Sequence, residues 1–278
     1  MGLFNGRSFG LFSKYVYDNG DKYISGDRDI TDNIQNVDID YISGDVYLEV
    51  SESDSISIKE TSKKDLDDDH KVHSYVEGTT LFIKYCASSK NINLNNLDKT
   101  LTVSIPKNVT LGNLKISVSS GNTAAVCSSD SIDLHTSSGN IDFTVVGNCT
   151  NLTANTSSGD VKLGLETADM VTISVASGRI DVDSDYIKSL DAKASSGDGT
   201  YTLRTVPENT QIKTSSGNIT VNLPEKIDVT AQFKVVSGDV SYEQAFSKDG
   251  DTYVIGSGAN NMNINAISGN IDIRILKR

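Results

Sequence analysis

Hydrophobic and polar residues alternate on both sides of a recurring Ser-Gly corner. Before Gly178 the apolar positions are Val171, Ile173 and Val175, and the residues between them are polar. After Gly178 the alternation continues with Ile180 and Val182. Since successive side chains of a β-strand point to opposite faces, a period of two predicts half-buried strands. Two such strands, joined at a glycine corner, form the predicted structural unit.

The corner recurs at a nearly constant spacing. Ser-Gly is followed by Asp or Asn at Gly44, Gly121, Gly139, Gly159, Gly197, Gly217, Gly238 and Gly269, and by Arg at Gly178. From Gly121 to Gly238 the glycines are separated by 18, 20, 19, 19, 20 and 21 residues. A fixed period of this length is typical of stacked repeats, and crossovers between parallel strands are almost always right-handed. The sequence therefore predicts an all-β, right-handed, single-stranded β-solenoid, resembling a β-helix, with rungs of about 19 to 20 residues.

The ends of such a stack must be covered, because open strand edges pair with other chains. We expect an irregular N-terminal cap over residues 1–35 and the solenoid over residues 36–278. Within the solenoid, residues 51–112 read as an insertion rich in strands, with a hairpin turn at Glu77-Gly78. Residues 244–261 read as a capping insertion, because the gap between Gly238 and Gly269 is longer than the period.

Composition excludes some classes of function. The 278 residues carry a formal net charge of −12, whereas a general nucleic-acid binder needs a basic face to neutralise phosphates. No run of residues is apolar and long enough to span a membrane, and residues 1–14 lack the apolar stretch of a secretory signal. By this criterion alone the expected location is the cytoplasm.

Reactive residue types form no recognisable site. Cys86, Cys127 and Cys149 contain no CxxC pair, so neither a disulfide framework nor a zinc site is indicated. None of the three histidines falls in a nucleophile or metal motif. We therefore expect no catalytic residue, no cofactor, no metal ion and no enzymatic activity.

Stacking predicts which outward side chains are neighbours, because equivalent residues on adjacent rungs lie about 4.8 Å apart. The outward residues four positions before the corner glycine form one such column of neighbours, and on four consecutive units they are Ser174, Lys193, Lys213 and Lys234. One interpretation is a binding site for an anionic polymer or an anionic membrane surface. The alternative is that the lysines splay apart and shield the strand, with Asp191 neutralising one of them.

Other outward columns predict ion pairs. One residue after the glycine, Arg179 is expected between Asp160 and Asp198. Two residues further along the strand, Asp142, Lys162 and Asp181 alternate in sign. Opposite charges on neighbouring strands favour pairing, but exposed pairs contribute little to stability, so we interpret both columns as markers of register.

Acidic clusters give two further hypotheses. Asp181, Asp183 and Asp185 alternate along one strand, and residues 65–69 with His70 form an acidic loop. Either could bind Ca²⁺ through oxygen ligands, or could be solvated surface, since neither has the spacing of a known calcium loop. Asp181 and Asp183 also allow an alternative function, a β-helical enzyme acting on carbohydrate.

The sequence resembles a bacterial family of candidate adhesins, the DUF4097 domain family. The residues that carry the resemblance are Val37–Val46, Leu101–Pro106, the Ser-Ser-Gly corners and Ile267–Ile271, and the resemblance covers about residues 30–278. It implies a right-handed β-helix-like domain, often encoded near envelope-stress or membrane-associated genes, with an adhesin role assigned by analogy and no established catalytic residues. It therefore implies a location at the cell envelope or surface.

These observations lead to a primary hypothesis and two alternatives. The primary hypothesis is a non-enzymatic binding or scaffold module of the cell envelope, with Lys193, Lys213 and Lys234 as candidate binding residues. Its expected partners are an anionic polymer, a membrane surface or an envelope protein. The alternatives are the carbohydrate-active enzyme and a cytoplasmic partner of a membrane stress sensor.

Overall fold

The computed structural model describes residues 15–88 and 97–276, and it is almost entirely β-strand apart from a short 3₁₀ helix at Gly20–Lys22. Predictions for residues 1–14 of the N-terminal cap and for 89–96 of the insertion lie outside the described residues. The strands of the N-terminal half are β1 (Ile24–Ser25), β2 (Arg28–Ile30), β3 (Asn36–Ser43), β4 (Asp45–Ser51), β5 (Ile56–Ser62), β6 (His73–Glu77), β7 (Thr80–Lys84), β8 (Lys99–Pro106), β9 (Leu111–Ser120), β10 (Thr123–Cys127), β11 (Ser129–Ser138) and β12 (Ile141–Ser158). Those of the C-terminal half are β13 (Val161–Ser177), β14 (Ile180–Ser196), β15 (Gly199–Leu203), β16 (Asn209–Ser216), β17 (Ile219–Leu223), β18 (Val229–Ser237), β19 (Val240–Tyr242), β20 (Ser247–Asp249), β21 (Thr252–Ile255), β22 (Asn260–Ser268) and β23 (Ile271–Ile275).

Consecutive rungs stack in parallel with their corners aligned. Ser158 at the end of β12 is opposite Ser177 at the end of β13, which is opposite Ser196 at the end of β14. The strands that follow the corner glycines pair in the same manner, so that Val161 at the start of β13 is opposite Ile180 at the start of β14. The predicted all-β solenoid is therefore confirmed.

Glycine is required at the corner because adjacent rungs approach closely there. Gly178 has φ of +147°, and a Cβ atom added to it would overlap the carbonyl oxygen of Gly159 on the previous rung. The backbone N–H of Gly178 donates to the carbonyl of Ser196 at 3.0 Å on the next rung. Since a side chain would separate the rungs and break this hydrogen bond, each unit keeps its glycine.

The inward column of each strand forms one continuous hydrophobic core. Its residues are almost fully buried, as Val171, Ile173 and Val182 illustrate with exposed fractions of 0%, 1% and 0%. The outward residues between them remain accessible to solvent. This is the division between faces that the period of two predicts.

The N-terminal end of the stack includes part of the predicted insertion. Strand β7 pairs in parallel with β3, and β8 pairs in parallel with β4, so both extend the stack beyond the Gly44 rung. Strands β6 and β5 then pair antiparallel with β7 and β8. The hairpin turn predicted at Glu77-Gly78 is confirmed, since it joins β6 to β7 and Gly78 has φ of +61°.

The C-terminal end does not follow chain order. Strand β22, from the last rung in the sequence, pairs with β16 on one side and with β18 on the other. Gly217 N–H donates to Ser268 O at 2.9 Å, and Gly269 N–H donates to Ser237 O at 2.9 Å. The Gly269 rung is therefore inserted between the Gly217 and Gly238 rungs. The β20–β21 hairpin pairs antiparallel with β18 beyond the Gly238 rung.

Candidate binding groove

The predicted lysine column lies along a shallow groove on the outer side of the strands that precede the corners. The groove has a volume of about 550 Å³ and spans the last four rungs of the C-terminal end, together with the edge of the rung before them. Its lining includes Lys193, Lys213, Asn265 and Lys234, together with several serine and threonine residues. The structure thus brings all three candidate lysines to one surface.

The expectation that the three lysines occupy successive rungs is wrong. Lys193 is opposite Lys213, but Lys213 is opposite Asn265, and Asn265 is opposite Lys234. The reason is the insertion of the Gly269 rung, which places an amide between two ammonium groups. The arrangement reduces repulsion between Lys213 and Lys234 while leaving both in the groove.

Little negative charge offsets these lysines. Lys193 Nζ lies 2.8 Å from Asp191 Oδ2, as predicted, in a pair whose side chains are 51% and 37% exposed. Among the described residues, neither Lys213 nor Lys234 forms an ion pair with a carboxylate. Both lysines are exposed. The groove therefore presents two uncompensated positive charges on a protein with a net charge of −12.

Two exposed aliphatic side chains adjoin the lysines. Val236 is 72% exposed and Ile267 is 57% exposed, and both line the groove. They lie side by side, since the residues flanking them, Val235 with Ala266 and Ser237 with Ser268, are paired. Exposed aliphatic residues are normal when scattered, but a contiguous pair next to cations is a feature to be explained.

The outer surface of the strands that follow the corners carries a second groove, in which both arginines are paired with carboxylates. This groove has a volume of about 750 Å³ and includes Arg204 and Arg274. Arg204 forms two hydrogen bonds to the carboxylate of Asp183, and Arg274 Nε lies 2.6 Å from Asp272 Oδ2. Since each arginine has its own carboxylate, this surface offers less free charge to a ligand than the lysine groove.

Asp and Asn residues after the corner glycines form a ladder of hydrogen bonds. Asn140 Oδ1 accepts from the backbone N–H of Asp160 at 2.8 Å, and Asp160 Oδ1 accepts from that of Arg179 at 2.8 Å. The expected ion pairs of Arg179 with Asp160 and Asp198 do not form within the described chain. The Asp160 carboxylate instead satisfies a backbone donor on the next rung, a role that an arginine side chain, with no acceptor atom, cannot perform for Asp198.

The remaining sequence candidates are spread over the surface. Lys162 Nζ pairs with Asp142 Oδ2 at 3.2 Å, as expected, whereas Asp181 forms no ion pair within the described chain. In the acidic loop, His70 Nδ1 lies 2.5 Å from Asp67 Oδ1, and this hydrogen bond lowers the pKa of Asp67. Over residues 15–88 and 97–276, no cluster of three or more His, Cys, Asp or Glu side chains has the geometry to hold a metal ion.

A buried polar cluster at the N-terminal end was not predicted from the sequence. Lys99 Nζ lies 2.7 Å from Glu60 Oε1, with side chains that are 0% and 4% exposed. Tyr41 OH donates to the same carboxylate oxygen at 2.6 Å, and the Lys99 ammonium lies 4.1 Å from the centre of the Tyr85 ring. Burial lowers the pKa of Lys99, and the contact with Glu60 opposes that shift. Because the partners lie far apart in sequence, no local pattern indicates the pair.

Comparison with known proteins places this architecture in a family. The family model described as Toastrack DUF4097 matches residues 34–274. The chain belongs to the Toastrack DUF4097 family. The resemblance derived from the Ser-Gly corners is thereby confirmed, and the match begins two residues before β3 and ends within β23 of the inserted rung.

Solved structures similar to this Toastrack chain share little sequence with it. A candidate adhesin from Bacteroides fragilis is 16% identical, with a TM-score of 0.50, and the alignment covers 90% of this chain and 96% of that one. A candidate cell adhesion protein from Clostridium sporogenes is 14% identical, with a TM-score of 0.32 and coverage of 92% and 100%. A candidate lipid binding protein from Parabacteroides distasonis is 19% identical, with a TM-score of 0.45 and coverage of 90% and 96%.

The search against curated proteins returned no match. Likenesses at these identities show the fold alone. Among the helices of the described Toastrack residues, none has the length and apolar character needed to cross a membrane.

Proposed function

We propose that this Toastrack protein is a non-enzymatic binding module of the bacterial cell envelope that takes an anionic ligand in the lysine groove. The observation that carries the proposal is the convergence of Lys193, Lys213 and Lys234 on one groove of an otherwise acidic protein. A local cluster of one sign attracts a ligand of the opposite sign even when the net charge of the protein is unfavourable.

The rigidity of the stack supports this proposal. Each lysine is on a strand that pairs with neighbours on both sides, so the backbone ladder sets the spacing between the Cα atoms of the lysines, although their side chains remain flexible. A binding surface on rigid strands loses less conformational entropy on binding than one on loops. The groove therefore suits a ligand with several negative charges rather than one.

The name of the Bacteroides fragilis protein agrees with a binding role, since that protein is a candidate adhesin. The name applies to that protein. For this chain it supports a module that binds rather than one that catalyses, and it motivates the assignment to the envelope.

Reversal of the groove charges tests the proposal. Replacing Lys193, Lys213 and Lys234 together with Glu should abolish binding to dextran sulfate and to vesicles containing phosphatidylglycerol, because each lysine near an anionic surface contributes about 1 kcal/mol. The measurements are fluorescence anisotropy for the polymer and co-sedimentation for the vesicles, each at low and moderate salt.

A matched control separates the groove from the net charge. Replacing Lys63, Lys64 and Lys107 with Glu produces the same change in charge at exposed positions near the other end of the stack. We expect this control to retain most of the binding. Equal loss in both triple variants, or full binding by the groove variant, would contradict the proposal.

A further inference from the structure

We infer that the anionic ligand of the groove is the surface of a membrane containing acidic phospholipids, contacted by the lysines and by Val236 and Ile267 together. The inference rests on the proposed function, because it requires the groove to bind an anion. It adds the chemical class of the partner and assigns a role to two residues that the lysine column does not include.

The aliphatic pair replaces serine in a column that is small or polar on the other rungs from Gly121 onward, whereas the Gly44 rung at the far end carries the half-buried Ile42 there. Two residues before the corner glycine, the column holds Ser119, Ser137, Ser157, Ala176, Ser195, Ser215, Ile267 and Val236 in the order of the described rungs that stack from Gly121 to Gly238. Only the last two rungs of this series have large apolar side chains there. They are the two rungs that also contribute Asn265 and Lys234 to the groove.

The inserted rung sets the order of side chains along the groove. If the rungs stacked in chain order, Lys213 would lie beside Lys234, and Val236 would lie between Ser215 and Ile267. In the structure β22 lies between β16 and β18, so Asn265 separates Lys213 from Lys234, and Ile267 lies between Ser215 and Val236. Val236 and Ile267 are neighbours in either order, but the insertion places Val236 on the outermost rung of the groove.

A membrane is the partner that uses both features. A hydrated polyanion would pair with the ammonium groups but would leave the side chains of Val236 and Ile267, which are 72% and 57% exposed, in contact with water or polar groups. At a bilayer surface the aliphatic side chains can enter the boundary between headgroups and acyl chains while lysines meet lipid phosphates. Corner carboxylates such as Asp198 and Asp239 follow the glycines, beyond the bend that ends the groove strands.

The test compares two double variants that use residues already accepted by this fold in the same columns. V236S/I267S introduces the serine found at Ser195 and Ser215, and K213N/K234N introduces the amide found at Asn265. Co-sedimentation is measured with phosphatidylcholine vesicles, with and without phosphatidylglycerol, and binding to dextran sulfate is measured in parallel.

We expect the wild-type protein to bind the vesicles only when they contain phosphatidylglycerol. Both double variants should bind these vesicles about tenfold more weakly or worse, since each removes two of the contacts. V236S/I267S should keep its affinity for dextran sulfate, whereas K213N/K234N should lose it. In addition, S215V should strengthen vesicle binding by extending the apolar pair, with no change in its circular dichroism spectrum and no sedimentation in the absence of vesicles.

The control for exposed apolar surface is M170S, because Met170 is 53% exposed but does not line the groove. Its vesicle binding should equal that of the wild type. If V236S/I267S binds acidic vesicles as tightly as the wild type, or if dextran sulfate binds and vesicles do not, the membrane inference is overturned and the proposed function stands. If neither probe binds, both fail.

Discussion

At the scale of single residues, the corner glycine and the Asp or Asn after it have separate roles. Glycine permits the close approach of adjacent rungs, as at Gly178, where φ is +147°. The following side chain supplies an acceptor for a backbone N–H of the next rung, as Asp198 Oδ1 does for Asn218 at 2.8 Å. The glycine lets adjacent rungs approach each other, and the Asp or Asn side chain accepts a hydrogen bond from the backbone N–H at the bend of the next rung.

This division predicts the effect of G178A. The added methyl group would overlap the Gly159 carbonyl oxygen and would also require a backbone conformation that L-residues rarely adopt. We expect the free energy of unfolding to fall by about 3 kcal/mol or more, measured by urea denaturation followed by circular dichroism.

The control for this substitution is G164A. Gly164 lies within β13, where the added Cβ would come no closer than 3.4 Å to a neighbouring atom, and its φ is not in the left-handed region. We expect a change of about 1 kcal/mol or less. Similar losses in both variants would show that the corner contact is unimportant.

At the scale of elements, the inserted C-terminal rung departs from the order of the chain. Strand β18 reaches the main stack through β22, and β19 reaches it through β23. The Gly238 rung and the β20–β21 hairpin therefore depend on the final strands of the described chain. This dependence would be absent if the rungs followed chain order.

The insertion predicts a local pattern of destabilisation in I264D/I273D. Both isoleucines are 0% exposed, so each substitution buries an unpaired carboxylate in the inserted rung. Hydrogen exchange measured by mass spectrometry should increase in residues 229–242 as well as in residues 260–275, while β12 and β13 stay protected.

The control N261D places a carboxylate at an exposed position of the same strand, and it should leave exchange unchanged. If residues 229–242 remained protected in I264D/I273D, the Gly238 rung would not depend on the inserted strands.

At the scale of the whole molecule, the repeat could be predicted from the sequence because each unit has the same alternation of apolar and polar residues and the same glycine corner. Alternation predicts the strands, and the glycine column predicts the corners, down to the alignment of Ser158, Ser177 and Ser196. The order in which the last two rungs stack could not be predicted. Ser268-Gly269-Asn270 presents the same corner chemistry as Ser237-Gly238-Asp239, so it matches the Gly217 rung equally well.

The same limit applies to the candidate site. Alignment of the repeats identified Lys193, Lys213 and Lys234, but only the rung order shows that Asn265 separates two of them and that Ser215 adjoins Ile267 rather than Val236. A signal for the aliphatic pair was present, since both residues depart from a serine column. The Lys99–Glu60 pair had no such signal, because it depends on tertiary contacts between β5 and β8.

Lysine footprinting in the presence of membranes tests the central claim, that the groove is the binding surface, most directly. The protein is acetylated with and without phosphatidylglycerol vesicles, and modification is quantified by mass spectrometry. Lys193, Lys213 and Lys234 should be protected by the vesicles, while Lys63, Lys107 and Lys162 should react as in free protein. Unchanged reactivity of the three groove lysines in vesicle-bound protein, or equal protection of all six, would contradict the account.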